Sequence, residues 1–199
     1  MNHLAHALLA DAGGAGFALG SAMGDFTHGR PDPAWPAARH AGLRFHRAID
    51  GYTDAHPEVV AARRLFDPPL RRFAGIMLDV WFDHLLVREW DRLGPNESLG
   101  DFSQRWLALL DTHAADLPDS LRAFLAWMHA HGLPAAYGDH ATLELVFHGL
   151  ARRLSHPSPL GDALPVLHTL DRALQTHFDA FFPELAVYAA GLRGELLAG

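Results

Sequence analysis

The 199-residue sequence has no cysteine and no lysine; all 16 of its basic residues are arginine. Without cysteine there is no disulfide, no thiolate nucleophile and no cysteine-ligated zinc or iron–sulfur site. Without lysine there is no Schiff-base amine and no P-loop lysine. Positive charge is in short supply, and the net charge of −7 at pH 7 argues against a general nucleic-acid binder. Long apolar runs are missing too. The apolar stretch from Leu4 to Met23 is broken by Asp11 and four glycines and has no basic leader. It reads as neither a membrane span nor a signal peptide, so the expected location is the cytoplasm. No useful alternating strand pattern, internal repeat or low-complexity segment occurs.

What remains is an ordinary globular composition, 49% hydrophobic and 20% charged, with a high count of 15 histidines. The length suits one core, so residues 1–199 are read as a single domain. The organising stretch is Ile76–Val87, in which nine of twelve residues are apolar and the others are Asp79, Asp83 and His84. With no Gly or Pro inside and apolar residues on nearly all sides, it predicts a buried helix. A buried carboxylate needs a partner, and Asp79 and Asp83 share a face and repel. The cation between them is either an arginine from elsewhere or a metal ion.

Gly and Pro punctuation divides the rest into helices, with short ones over 2–11 and 17–23. Others are expected over 37–50 with Gly51 as the stop, 58–66, 71–92, 102–115 capped by Asp101, 119–131 and 139–154. A long C-terminal helix from Asp162 is expected to break at Pro183. The expectation is an all-α fold of seven to nine helices. His3 and His6 fall three apart on the first helix. His46 and Asp50 fall four apart and project from one face, while Asp54 sits where it could cap the next helix. Asp25 follows an apolar segment directly, an unusual place for a carboxylate with only a solvent role.

The candidate site is therefore Asp25, His46, Asp50, Asp79, Asp83 and His84, with Asp54, His6 and His56 as weaker members. An oxygen-rich set with one or two imidazoles favours Mn²⁺, Mg²⁺ or Fe²⁺. Asp83 and His84 lie about 100° apart around their helix, and Asp79 and His84 about 140°. They can meet at one centre only if partner helices wrap around it.

Four stretches carry a resemblance: Met-Asn-His-Leu-Ala-His at the start, Gly24-Asp-Phe-Thr-His-Gly29, Leu43-Arg-Phe-His-Arg-Ala-Ile-Asp-Gly-Tyr-Thr-Asp-Ala-His-Pro57, and Leu78-Asp-Val-Trp-Phe-Asp-His-Leu-Leu-Val-Arg-Glu-Trp90. In this order they resemble the acyl carrier protein phosphodiesterase family, closely over residues 1–92 and loosely beyond. The resemblance implies a helical fold like a distorted HD-domain phosphohydrolase, with the Asp83-His84 doublet in reversed order. It implies hydrolysis of the phosphodiester joining 4′-phosphopantetheine to a serine of holo-acyl carrier protein, with Mn²⁺ as the usual metal. By motif, His46, Asp50, Asp79, Asp83 and His84 would hold or orient metal, and Asp25 would be a ligand or the base that orients water. Asp25, Asp79 and His84 are the expected catalytic groups.

Residues 39–72 hold seven arginines (Arg39, Arg44, Arg47, Arg63, Arg64, Arg71, Arg72) against four acids. Such a local excess would steer an acidic carrier protein. Two other readings stay open. One is an HD-like hydrolase of a small nucleotide or phosphate ester, which does not need that basic surface. The other is a non-catalytic helical binding module, which predicts Arg47 or Arg88 between Asp79 and Asp83.

Overall fold

The computed structural model describes residues 3–199. Met1 and Asn2, on which the first expected helix and the first motif begin, lie outside the described residues. Among these the chain forms ten α-helices joined by short 3₁₀ turns, with no strand. They are α1 (His3–Ala10), α2 (Ala15–Ala22), α3 (Ala37–Ala55), α4 (Pro57–Arg63), α5 (Ala74–Arg88), α6 (Trp90–Leu93), α7 (Leu99–Thr112), α8 (Asp119–His131), α9 (His140–Arg153) and α10 (Ala163–Ala198). The fold is all-α, as the helical periodicity predicts. No helix among the described residues is long and apolar enough to cross a membrane.

α5 is the axis of the core. Met77, Leu78, Trp81, Phe82, Leu85 and Leu86 are all buried, on every side of the helix. α10 runs past α3, α4 and α5 and buries Leu167, Leu174, Phe178, Phe181, Leu185 and Ala189. The buried apolar side chains from α1 to α10 form one continuous cluster.

The structure differs from the sequence expectation in several places: ten helices among the described residues replace the expected seven to nine, and the helix expected over 71–92 divides into a 3₁₀ turn (Leu70–Phe73), α5 and α6. α3 runs through Gly51 to Ala55; Ile49 and Thr53 are buried on either side of the exposed glycine, and the helix ends only at His56, extended before Pro57. α10 continues through Pro183. That proline removes one backbone hydrogen bond on an exposed face, where water can take the freed carbonyl, while buried Phe181, Phe182 and Leu185 hold both sides. The caps are also redistributed. Asp54 stays inside α3 and pairs with Arg63, and His56 caps α4 by accepting the Glu58 amide. Ser98, in place of Asp101, accepts at the start of α7.

α2 and α3 touch backbone to backbone. A Cβ on Gly20 would lie 2.0 Å from the Arg39 carbonyl oxygen, and one on Gly42 2.0 Å from that of Phe17. Neither contact can yield by rotating a side chain. Gly42→Ala is expected to lower stability by about 1–3 kcal/mol through overpacking, outweighing the roughly 1 kcal/mol of helix propensity that alanine adds. The midpoint of urea unfolding measures it; an unchanged or raised midpoint would contradict this packing.

Candidate metal centre

Three elements converge next to that glycine seam. α1 presents His3 and His6, a 3₁₀ turn over Gly24–Phe26 presents Asp25, and α3 presents His46 and Asp50 one turn apart. His6 Nε2 donates to Asp50 Oδ1 at 3.0 Å. His46 Nε2 lies 3.1 Å from Asp50 Oδ2 and 3.3 Å from Asp25 Oδ1. The two imidazoles stack, with ring centroids 3.8 Å apart. His3 closes the row, with Nδ1 3.9 Å from Asp25 Oδ2. Gly24 makes the stacking possible, because a Cβ there would fall 2.1 Å from the His46 ring.

Both imidazoles are buried, whereas the two carboxylates are open to solvent on one side, with side-chain exposures of 48% for Asp25 and 39% for Asp50. Burial, with the charge of His46, lowers the pKa of His6 to about 4. Burial likewise lowers His3 to about 4. Burial also disfavours charge on His46, but hydrogen bonds to Asp25 and Asp50 outweigh it and raise this imidazole to about 9. Desolvation pushes both carboxyls up, yet the bonds to His46, joined at Asp50 by one from His6, hold them well below the usual carboxylate range. A proton on His46 thus bridges two carboxylates.

His6, His46 and Asp50 each offer a ligand atom within 4.8 Å of the others, and Asp25 Oδ1 faces the same nitrogen of His46. Two imidazoles with one or two carboxylates form a donor set that suits Mn²⁺ or Fe²⁺, and Mg²⁺ less well.

A cation here would take the place of the His46 proton. Metal binding near pH 7.5 is therefore expected to release about one proton and to tighten as the pH rises toward 9. Calorimetry in two buffers of different ionisation enthalpy reads this directly. Metal-free protein should behave in the opposite way. Between pH 6.5 and 9 the native His46 binds a proton that the unfolded chain does not, so its stabilisation is full below 6.5 and is lost as the pH rises through about 9.

The other expected residues lie elsewhere. Asp83 is buried completely, and its carboxylate caps α1: Oδ2 accepts the Leu4 amide at 2.8 Å and Oδ1 the Ala5 amide at 3.1 Å. Burial outweighs these two bonds and raises its pKa to about 7. His84 is held at Nδ1 by the Tyr137 carbonyl at 2.9 Å and packs against Trp81. The doublet therefore points to two different parts of the framework and does not join the cluster. Asp79 is half-buried, and its pKa is raised first by burial and then by the charges of Asp50 and Asp54. It is not part of the His6, His46 and Asp50 grouping among the described residues. His56 bonds Glu184 at 3.2 Å, away from the site.

The arginines are dispersed. Arg39 pairs with Asp116, Arg63 with Asp54, Arg47 donates to the carbonyls of Thr27 and Gly29, and Arg71 to those of Phe66 and Arg64. Arg88 pairs with Asp171. Neither Arg47 nor Arg88 lies between Asp79 and Asp83, contrary to what the binding-module reading requires. His6 and His3 hold larger places than the sequence suggested. Their signal was the three-residue spacing in an otherwise apolar first helix.

Comparison with known proteins places this geometry in context. The profile described as acyl carrier protein phosphodiesterase matches residues 1–185. A Photorhabdus laumondii protein named acyl carrier protein phosphodiesterase is 35% identical over 191 residues, covering 94% of this chain and 92% of its own. Proteins of the same name are 31% identical in Yersinia pestis, over 93% of this chain and 95% of theirs, and 34% identical in an Enterobacter strain, over 95% and 97%. No solved structure matches.

Proposed function

Because the chain belongs to the acyl carrier protein phosphodiesterase family, we propose that it hydrolyses holo-acyl carrier protein to apo-acyl carrier protein and 4′-phosphopantetheine. One observation carries the reading: three of the stretches that bear the family resemblance fold into one cluster of His6, Asp25, His46 and Asp50. In the reaction, the oxygen of water forms a new bond to phosphorus, the bond to the serine Oγ breaks, and Oγ takes a proton.

His6, His46 and Asp50 would hold a divalent cation, with Asp25 as a fourth donor, and Mn²⁺ is the proposed metal. Such an ion lowers the pKa of a water and offsets charge on the phosphoryl group. The chain's own groups do the rest. Asp25, the most exposed carboxylate of the set, accepts from the attacking water and orients it. His3, neutral at pH 7, lies 3.9 Å from Asp25 and flanks it without competing for its charge. Asp83 and His84 act by positioning: Asp83 fixes α1, and His84 ties α5 to the turn before α9. Arg44, Arg64 and Arg72, exposed and without an ion pair among the described residues, remain available to an acidic carrier. The same reading places the protein in the cytoplasm.

Purified protein given holo-acyl carrier protein tests this. Release of 4′-phosphopantetheine with Mn²⁺ and its abolition by chelator are expected. Cleavage of a generic phosphodiester without release from the carrier would move the substrate to a small ester. Inactivity toward both, after loading with Mn²⁺ or Fe²⁺, would return the chain to a binding role.

A further inference from the structure

A cavity of about 320 Å³ opens beside the cluster, between α1, α5, α8 and α9. His3 belongs to both: it lines the cavity and lies against Asp25. Its ring packs 4.5 Å from that of Phe124, which with Val80, Trp127, Val146 and Leu150 makes an apolar wall. Arg152 and Arg153 stand at the rim, both exposed and neither in an ion pair among the described residues. Arg153 lies 5.9 Å from the Phe124 ring, and its charge reaches His3. The wall on the α9 side is open because of one residue. A Cβ on Gly149 would meet nothing within 4 Å, so this helical glycine leaves space where any other residue would place a side chain.

The arrangement is an apolar slot that begins where the phosphate-binding cluster ends and carries unneutralised guanidinium donors at its mouth. A volume in the small-molecule range with few polar groups suits a slender, largely neutral ligand. The geometry points to this cavity as the seat of the pantetheine arm, with the dimethyl-bearing part against Phe124 and Val80 beyond His3, and the amide carbonyls within reach of Arg152 and Arg153. This rests on the reading that the substrate is a phosphopantetheinylated carrier. It adds that the enzyme recognises the pantetheine arm as well as the carrier protein, and that α8 and α9, beyond Leu93, supply most of that recognition.

Gly149→Phe fills the slot from a position with room for the new side chain. Calorimetry on the Mn²⁺-loaded protein would compare 4′-phosphopantetheine with inorganic phosphate, alongside cleavage of holo-acyl carrier protein. For the wild type, 4′-phosphopantetheine is expected to bind at least tenfold more tightly than phosphate. In Gly149→Phe that advantage should vanish, phosphate and Mn²⁺ binding should persist, and holo-carrier cleavage should fall at least tenfold. Gly149→Ala is the mild control. Leu150→Trp fills the same space should Gly149→Phe fail to fold. A wild type that does not prefer 4′-phosphopantetheine, or a filled slot that keeps the preference, overturns the assignment. If the wild type binds 4′-phosphopantetheine preferentially but cleaves no holo-carrier, the pocket stands and the proposed reaction falls.

Discussion

Asp50→Asn should reduce turnover of holo-acyl carrier protein by about 100-fold or more and leave the protein without stoichiometric metal. Asp50 is the hinge of the cluster, since its two oxygens meet the Nε2 atoms of two different histidines. A carboxamide keeps the volume but removes the charge, and its amino group would face an imidazole nitrogen that needs an acceptor or a cation. Loss of a supporting group around a metal already costs 10- to 100-fold, and loss of a ligand exceeds that. The fold should survive. The carboxylate is more than a third exposed, so its pairing with His46 contributes only about 1 kcal/mol, or about 2–4 °C in melting temperature for a chain of this size. Metal content by elemental analysis, with rates at saturating Mn²⁺, decides it. Full metal content and near-native turnover would remove Asp50 from the site.

Asp83→Ala should do the reverse, with its damage falling on stability. The carboxylate caps α1 from another helix by accepting two backbone amides in a fully buried place. Alanine orphans both donors, at about 1–3 kcal/mol each, so a loss of about 2–6 kcal/mol is expected. That is a large share of the roughly 5–15 kcal/mol by which domains are stable. Asparagine should rescue only part, because its carbonyl serves one amide while its own N–H₂ opposes the other. Chemical unfolding of wild type, Asp83→Asn and Asp83→Ala should give that rank order. A melting temperature unchanged in Asp83→Ala, together with lost metal, would make Asp83 a ligand after all. The raised pKa of Asp83 carries a pH signature of its own. Between about pH 4 and 7 the native carboxyl holds a proton that the unfolded chain has released, so stability falls as the pH rises across that window. This has the same sign as the His46 effect at higher pH.

These two aspartates show what the sequence made legible. The i, i+4 spacing of His46 and Asp50 is a property of one helix, and that helix is legible over residues 37–50. The burial of α5 was equally plain, since an apolar residue on every side can only face protein. The need of Asp83 for a partner was legible as well; the partner's identity was not. Backbone amides some 80 residues away leave no trace in residue type, whereas a metal or an arginine does. His6 carries little signal in the sequence, because a histidine among Leu and Ala looks the same whether it is packed or ligating. Gly51 and Pro183 misled for a related reason: each is a local stop signal overruled by buried neighbours on both sides. The arginines of residues 39–72 were counted along the chain, but most of them find partners that only the folded chain brings near.

The cap on α1 also sets an order in time. His3, His6, Asp25, His46 and Asp50 all leave the ribosome before the Asp83 that anchors the first helix. A nascent chain that has emerged only that far carries every proposed ligand yet lacks the group that holds two of the histidines in place. The first helix, with its two histidines, therefore gains this anchor only once α5 has been made.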